Sequence, residues 1–188
     1  MNMKISILAI TIMMSINGFA QDSLNCNYRV NEIDEFTNTS KVVTRSELYI
    51  AQTDSSLMKY YKRKTHSYFE LETYCAKIND TRVLYTYIRI DSKNAYKYYG
   101  SLSTDAKVIL KMEDGSTITL KIAKYDTGDM NYEKNYTSYS PYMIIDPDTY
   151  ESLKTKKATK IRIYWSKGYE DYDVNNPNVL LNQMKCIE

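Results

Sequence analysis

The sequence predicts a mainly β fold: a single-domain antiparallel sandwich or open barrel with one or two short helices. Alternation of apolar and polar residues dominates the chain after residue 40, which is the period of a β-strand. Twenty residues are tyrosine, a side chain that suits a pleated, half-buried surface. The chain has only five glycines and three prolines and contains no fixed repeat or Pro-rich linker, so residues 21–188 are expected to form one β-rich domain.

The first twenty residues have the layout of a secretory signal peptide. Lys4 precedes an apolar run over residues 5–16, and small residues at Gly18 and Ala20 precede Gln21. The run of about 12 residues is shorter than the roughly 20 that a membrane-spanning helix needs. We therefore expect cleavage after residue 20, export to the periplasm or the medium, and no integral membrane segment in the mature chain.

Three runs in the first half of the domain are predicted strands. They are KVVTRSELYIA (residues 41–51, with one break in register), SYFELETYCAKI (67–78) and TRVLYTYIRI (81–90). In the second run, Phe69, Leu71 and Cys75 should share one face. In the third, Leu84 and Ile88 should lie opposite the tyrosines.

The clearest element is a β-hairpin in AKVILKMEDGSTITLKIA, residues 106–123. Asp114 and Gly115 form a turn signal between two alternating arms. One face of the hairpin should carry the apolar side chains Val108, Leu110, Met112, Ile118, Leu120 and Ile122.

Two short helices are predicted near the C-terminus. In IIDPDTYESLKTKK, Asp146 can cap a helix whose first turn holds Pro147. NNPNVLLNQMKCIE repeats this logic with Asn176 and Pro177. The intervening segment 158–174 should supply a strand, a turn, and a returning strand.

The three cysteines leave one unpaired if a disulfide forms. Export favours a disulfide, and the ends of a domain often lie close together, which would pair Cys26 with Cys186. Three free thiols are the alternative. Cys75 lies in a predicted strand and is expected to be a small buried apolar residue. Asn25 stands where lipid modification of Cys26 would need a small residue, so no lipid anchor is expected.

Two segments, CNYRVNEIDEFTNTSKVVT (26–44) and KIRIYWSKGYEDYDV (160–174), together with the terminal KCI, resemble small secreted or periplasmic proteins of Gram-negative bacteria without established activity. The shared features are the first cysteine, an Asn-Glu-x-Asp-x-Phe-Thr stretch, a Lys-Ile-Arg-Ile-Tyr strand and the last cysteine. The resemblance implies export and a β fold, and its terminal cysteines support the bridge between Cys26 and Cys186. It implies no chemistry.

No residue pattern indicates a catalytic, metal or cofactor site. His66 is the only histidine and lies in a polar stretch, and the cysteines lack the paired spacing of zinc sites. Gly-rich phosphate loops are absent from the sequence. The near-neutral formal charge of +2 gives no drive toward nucleic acid.

Two acidic clusters and one basic cluster have both a functional and a structural interpretation. In YEDYD (169–173), Glu170, Asp171 and Asp173 could supply a catalytic pair or an irregular calcium site, but solvated loop charge is favoured. In NEIDEF (31–36), Glu32, Asp34 and Glu35 could likewise supply a catalytic pair or calcium ligands. The structural alternative is a strand whose residues Ile33 and Phe36 pack inward. KYYKRK (59–64) could contact anionic glycans or lipid headgroups, but a solvated strand edge is favoured.

The segment YDTGDMNYEKNYTSYSPY (125–142) lacks sustained alternation and is the best candidate for a binding loop. The candidate ligand-binding residues are Tyr132, Tyr136, Tyr139, Tyr142 and Trp165. Tyrosine offers rigid contact area with a polar tip, which suits glycan or protein surfaces. A loop packed by its own tyrosines is the alternative, and Trp165 could instead belong to the core.

These observations favour an exported, non-catalytic binding protein whose partner is a glycan, a cell-envelope component or another protein. One alternative is an enzyme that acts on envelope polysaccharide through a carboxylate pair. The other is a structural subunit of an envelope assembly.

Overall fold

The computed structural model describes residues 25–53 and 68–188. The predicted signal peptide (residues 1–20), the basic cluster (59–64) and His66 lie outside these ranges. No helix among the described residues is long and apolar enough to cross a bilayer.

Antiparallel strands make up about half of the described chain. The strands are β1 (Tyr28–Ile33), β2 (Ser40–Thr44), β3 (Glu47–Gln52), β4 (Phe69–Ile78), β5 (Thr81–Ile90), β6 (Lys107–Met112), β7 (Thr117–Lys121), β8 (Asp129–Asn131), β9 (Tyr136–Tyr139), β10 (Tyr142–Ile145), β11 (Ala158–Trp165) and β12 (Gly168–Asp173). The helices are α1 (Ala95–Tyr98), α2 (Pro147–Leu153) and α3 (Asn178–Cys186).

The strands form two antiparallel sheets around a shared core. The larger sheet has eight strands in the order β1-β2-β4-β5-β9-β8, with β3 paired to β4 and β10 paired to β5. The smaller sheet has four strands in the order β12-β11-β6-β7. An isolated bridge between Ile122 and Met143 joins the end of β7 to β10. This architecture confirms the predicted mainly β, sandwich-like class.

Inward-facing side chains of both sheets build the core, as the alternation predicts. Phe69, Leu71 and Cys75 on β4 are each at most 1% exposed. The ring of Phe69 stacks on that of Tyr172 from the smaller sheet, with centroids 3.8 Å apart. Cys75 is the buried free thiol that the sequence predicted, and burial raises the pKa of this thiol.

The hairpin of β6 and β7 is confirmed in detail. Val108 pairs with Leu120, and Leu110 pairs with Ile118. The turn between the arms contains Gly115 at a φ of +84°, in the left-handed region that glycine adopts without strain. The apolar face of the hairpin therefore points into the core and its polar face points outward.

The two predicted helices form, but only one has the predicted cap. The Asp146 side chain accepts a 2.9 Å hydrogen bond from the backbone N–H of Thr149, and Pro147 begins α2. At α3 the residue before the helix is Pro177, and no side chain caps it. The Asn176 amide donates instead to the backbone oxygen of Leu48, so it secures β3 rather than the helix. The short helix α1 was not predicted.

A disulfide between Cys26 and Cys186 confirms the pairing expected for the two ends of the domain. A second attachment holds α3 to the larger sheet. The buried amide of Gln183 donates to the backbone oxygen of Thr73 at 2.7 Å and accepts from the Thr73 hydroxyl at 2.9 Å. The C-terminal helix is thus fixed to the larger sheet by a covalent bond and by buried hydrogen bonds.

The prediction that Ile33 and Phe36 pack inward is wrong. Ile33 is 64% exposed and Phe36 is 97% exposed. The Asp34 carboxylate accepts hydrogen bonds from the backbone N–H groups of Phe36 and Thr37, which forms a tight turn between β1 and β2. Phe36 therefore lies at the tip of a hairpin, away from the core.

Candidate functional site

The five candidate ligand-binding residues do not share one surface. Tyr132 is 78% exposed and lies between β8 and β9. Tyr136 on β9 and Tyr142 on β10 are half-buried. Tyr139 and Trp165 are 1% and 6% exposed. The segment 125–142 is not one long loop, because it contains β8, β9 and the first residue of β10.

Tyr139 and Trp165 belong to the core between the two sheets, which corrects their assignment to a ligand surface. The Tyr139 hydroxyl donates a 2.9 Å hydrogen bond to the backbone oxygen of Gly100. Its ring meets the Trp165 indole edge-on, with centroids 5.0 Å apart. Burial raises the pKa of Tyr139 to about 12, so its hydroxyl remains a donor at neutral pH. The polar tip of Tyr139 is therefore satisfied inside the protein.

Three tyrosines form a row across the outward face of the larger sheet. Tyr74 on β4, Tyr85 on β5 and Tyr142 on β10 occupy directly opposed positions of neighbouring strands. The Tyr74 and Tyr85 rings stack with centroids 4.7 Å apart and planes 4° apart, and the Tyr142 ring lies 5.6 Å from that of Tyr85. Because the rings cover one another, this tyrosine row gives a rigid surface without a partner molecule.

A groove of about 300 Å³ lies on the same sheet and has both aromatic and charged walls. We call it the tyrosine groove, and its lining residues are Glu70, Glu72, Tyr87, Arg89, Lys134 and Tyr136. Its volume is at the lower end of the range for small-molecule sites in proteins.

Side-chain contacts hold Glu70, Glu72, Arg89 and Tyr136 of the tyrosine groove in defined positions. Arg89 contacts the Glu70 carboxylate at 3.2 Å, and its guanidinium lies 5.0 Å from the centroid of the Tyr136 ring. The Glu72 carboxylate accepts a 2.7 Å hydrogen bond from the Ser46 hydroxyl. Desolvation is the main cause that raises the pKa of Tyr87, so this phenol presents a hydrogen-bond donor at neutral pH. The groove is therefore a preformed set of donors and acceptors beside aromatic rings.

Two carboxylates of the acidic cluster on the smaller sheet, Asp171 and Asp173, form ion pairs with cations of β11. Arg162 contacts the Asp171 carboxylate through two nitrogens, at 2.5 and 2.6 Å. Lys160 contacts Asp173 at 2.7 Å. The hydrogen bonds from Arg162 lower the pKa of Asp171, which is the wrong direction for a general acid at neutral pH. Among residues 25–53 and 68–188, no three His, Cys, Asp or Glu side chains gather as they would in a metal site.

The alternation in the sequence already placed Tyr74, Tyr85 and Tyr87 on the face opposite the core. It could not show that β9 and β10 both lie beside β5, which brings Tyr136 and Tyr142 to that face. Strand order depends on contacts that are distant in sequence, and single-sequence alternation carries no information about them. No protein-family model matches the chain, and comparisons with curated proteins and with solved structures likewise find no match.

Proposed function

We propose that the mature chain is an exported, non-catalytic domain that binds a neutral glycan in the tyrosine groove. The observation that carries this proposal is the preformed combination of the Tyr87 and Tyr136 rings with the charged side chains of Glu70 and Arg89 in a groove of about 300 Å³. Export would place the domain where cell-envelope glycans are present.

Two observations support export. The first twenty residues have the charge, apolar run and small residues of a signal peptide. The Cys26–Cys186 disulfide is typical of oxidising compartments outside the cytosol.

The chemistry of the groove suits a sugar. A sugar ring offers an apolar face of C–H groups, which can pack against an aromatic ring, and a rim of hydroxyls that both donate and accept hydrogen bonds. Glu70 and Glu72 supply acceptors, whereas Arg89 and Lys134 supply donors. The neighbouring tyrosine row would extend the contact surface along the sheet for a longer glycan.

The ion pairs support binding rather than catalysis. A glycosidase needs one carboxyl group that is protonated before reaction and a second that is free to act as base or nucleophile. Glu70 and Glu72 each already accept hydrogen bonds, as do Asp171 and Asp173. The enzyme alternative would require one of these pairs to separate.

Calorimetric titration with neutral tetrasaccharides of glucose, mannose and N-acetylglucosamine would test the proposal. We expect at least one to bind, and the double variant Tyr87→Ala/Tyr136→Ala to weaken that binding by about tenfold or more, a typical effect of removing central aromatic contacts. A matched control is Tyr96→Ala/Tyr98→Ala, which removes two exposed tyrosines of α1.

Two results would contradict the proposal. One is the absence of binding by every tetrasaccharide, and the other is equal affinity of the groove variant and the wild-type protein. Hydrolysis of a bound tetrasaccharide would favour the enzyme alternative instead.

A further inference from the structure

The outward face of the β6–β7 hairpin is cationic. Alternation points Lys107 and Lys111 of β6 and Lys121 of β7 away from the core, and all three are exposed. The remaining outward positions hold the uncharged residues Ile109, Thr117 and Thr119. We call these six residues the lysine face.

The strand register places like charges directly opposite each other. Lys107 pairs with Lys121 across β6 and β7, and Lys111 pairs with Lys160 across β6 and β11. Like charges at directly opposed positions of an antiparallel pair are destabilising. Lys160 is paired with Asp173, whereas no ion pair within the described residues offsets the repulsion between Lys107 and Lys121.

Each cation of the neighbouring strand β11 has its own acid on β12, whereas the three hairpin lysines have no such partner among the described residues. Arg162 pairs with Asp171 and Lys160 with Asp173. Within the described ranges, no ion pair involves any of the three hairpin lysines. Unbalanced positive charge is thus confined to the β6–β7 half of the smaller sheet.

The lysine face also contains a depression of about 330 Å³ at its junction with β11. Ile109, Thr117 and Thr119 line it together with the cations Lys111, Lys160 and Arg162, and the Asp171 carboxylate, which pairs with Arg162, also lines it. Along β6, Lys107 and Lys111 are four residues apart, or about 13 Å. An elongated ligand with several negative charges could contact the three unpaired lysines, Lys107, Lys111 and Lys121, together.

We propose that the lysine face binds an acidic polysaccharide, a chain of sugars that carries carboxylate or sulfate groups. The lysines would contact the acidic groups and the threonine hydroxyls would bond with sugar hydroxyls. No aromatic ring lies among the outward residues of β6 and β7. The aromatic rings of this outward face, Tyr164 and Tyr169, lie on β11 and β12 and contact each other and Arg162, so the six residues of the lysine face offer no ring on which a base could stack. This site is separate from the tyrosine groove and does not depend on the function proposed for it.

The test is binding of polygalacturonate, a uronic acid polymer, to the full domain at 50 mM and 300 mM salt. We expect measurable affinity at the lower concentration and a marked loss at the higher one, because screening weakens contacts between exposed charges. The triple variant Lys107→Gln/Lys111→Gln/Lys121→Gln should weaken binding by about tenfold, since exposed charge contacts contribute modestly and three are lost.

A control separates the lysine face from net charge. Lys41→Gln/Lys93→Gln/Lys185→Gln removes the same charge from exposed lysines elsewhere and should retain most of the affinity. Replacement of the three face lysines by arginine keeps the charge and should retain binding. Should the glutamine variant fold poorly, the arginine triple together with the single lysine-to-glutamine variants would still test the face.

The proposal is overturned if the wild-type protein does not bind polygalacturonate at 50 mM salt, or if the two glutamine triples weaken binding equally. It is also overturned if a single-stranded oligonucleotide or an anionic phospholipid vesicle binds more tightly to the lysine face than polygalacturonate does. Equal binding of neutral dextran would show that charge is not what the face recognises.

Discussion

The two sheets follow the same rule of alternation but present very different outward faces. On the larger sheet, outward side chains find partners on the next strand: Tyr74 stacks on Tyr85, and Arg89 contacts Glu70. On the hairpin of the smaller sheet, Lys107 finds another lysine, Lys121, directly opposite. The residue on the neighbouring strand, rather than the composition of each strand, therefore determines whether the charges and rings of a sheet face are paired within the protein or remain available to a binding partner.

The sheets also differ in how they are anchored. The larger one is held at its β1 side by the Cys26–Cys186 bridge and by a 3.0 Å hydrogen bond from the Tyr28 hydroxyl to the backbone oxygen of Cys186. It also holds Gln183 of α3 in a buried hydrogen-bonding site. The smaller sheet has no covalent attachment of this kind in the described residues, so loss of the bridge should affect the sheets unequally.

Removal of the disulfide should have the largest effect on stability and should act differently on the two sheets. Because the bridge closes a loop with a sequence separation of 160 residues, the variant Cys26→Ser/Cys186→Ser should lower the free energy of unfolding by about 2–5 kcal/mol. Amides of β1 and α3 should exchange through a local opening that leaves the β6–β7 hairpin protected. Chemical denaturation and amide hydrogen exchange measure the two effects.

Reduction of the wild-type protein should reproduce the behaviour of the double serine variant. If protection falls by the same amount in both sheets, the bridge stabilises the domain as a whole and the proposed difference in anchoring is wrong.

The next largest effect concerns the contact between the sheets at Tyr139. Tyr139→Phe leaves the ring against Trp165 but removes the donor to the buried backbone oxygen of Gly100, so it should cost about 1–3 kcal/mol of unfolding free energy. Tyr142→Phe, on the half-buried tyrosine row, should change the unfolding free energy by no more than about 0.5 kcal/mol. Equal losses would contradict the distinction between core and surface tyrosines.

The contribution of Tyr139 to the free energy of unfolding should depend on pH. The pKa of Tyr139 is raised from 10.0 to about 12 in the folded protein, so its contribution is fully present below pH 10 and is lost as the pH rises toward 12. Tyr139→Phe should therefore lose less stability than the wild-type protein over this interval. Denaturation curves at pH 9, 10 and 11 would measure the difference.

Local features were predictable from the sequence because they depend on neighbours along the chain. The alternation of β4 placed Phe69 and Cys75 inside, the turn signal placed Gly115 correctly, and Asp146 caps α2 as expected. Phe36 was wrongly predicted to be buried because the residue type alone does not show whether an apolar side chain lies in a turn or in a strand. The turn itself was encoded by Asp34, whose side chain bonds to the backbone two and three residues later.

The candidate sites were less predictable because they depend on strand order. The sequence analysis named Tyr136 as a candidate ligand-binding residue. It did not identify Glu70 and Arg89, which line the same groove, as neighbours of Tyr136. The alternation of the predicted hairpin is sufficient to place its lysines on the face opposite the apolar residues. That Lys111 lies opposite Lys160 required the pairing of β6 with β11, which joins segments almost fifty residues apart.

The smallest expected effect concerns the difference in charge between the β6–β7 hairpin and the neighbouring strand β11. In Asp171→Asn, Arg162 loses its carboxylate partner, and the unpaired positive charge extends from the β6–β7 hairpin onto β11. We expect polygalacturonate to bind about two- to threefold more tightly at 50 mM salt, and the free energy of unfolding to fall by less than about 1 kcal/mol, because the pair is largely exposed. Calorimetric titration and chemical denaturation measure these changes.

Asp80→Asn is the matched control, since it removes one exposed acid from the turn between β4 and β5 on the other sheet. It should leave the affinity for polygalacturonate nearly unchanged, because exposed charges far from a site are screened by salt. If both substitutions strengthen binding equally, net charge rather than the lysine face determines affinity. If Asp171→Asn instead abolishes turnover of a polysaccharide while the fold persists, the acid is catalytic, and its pair with Arg162 must open during the reaction.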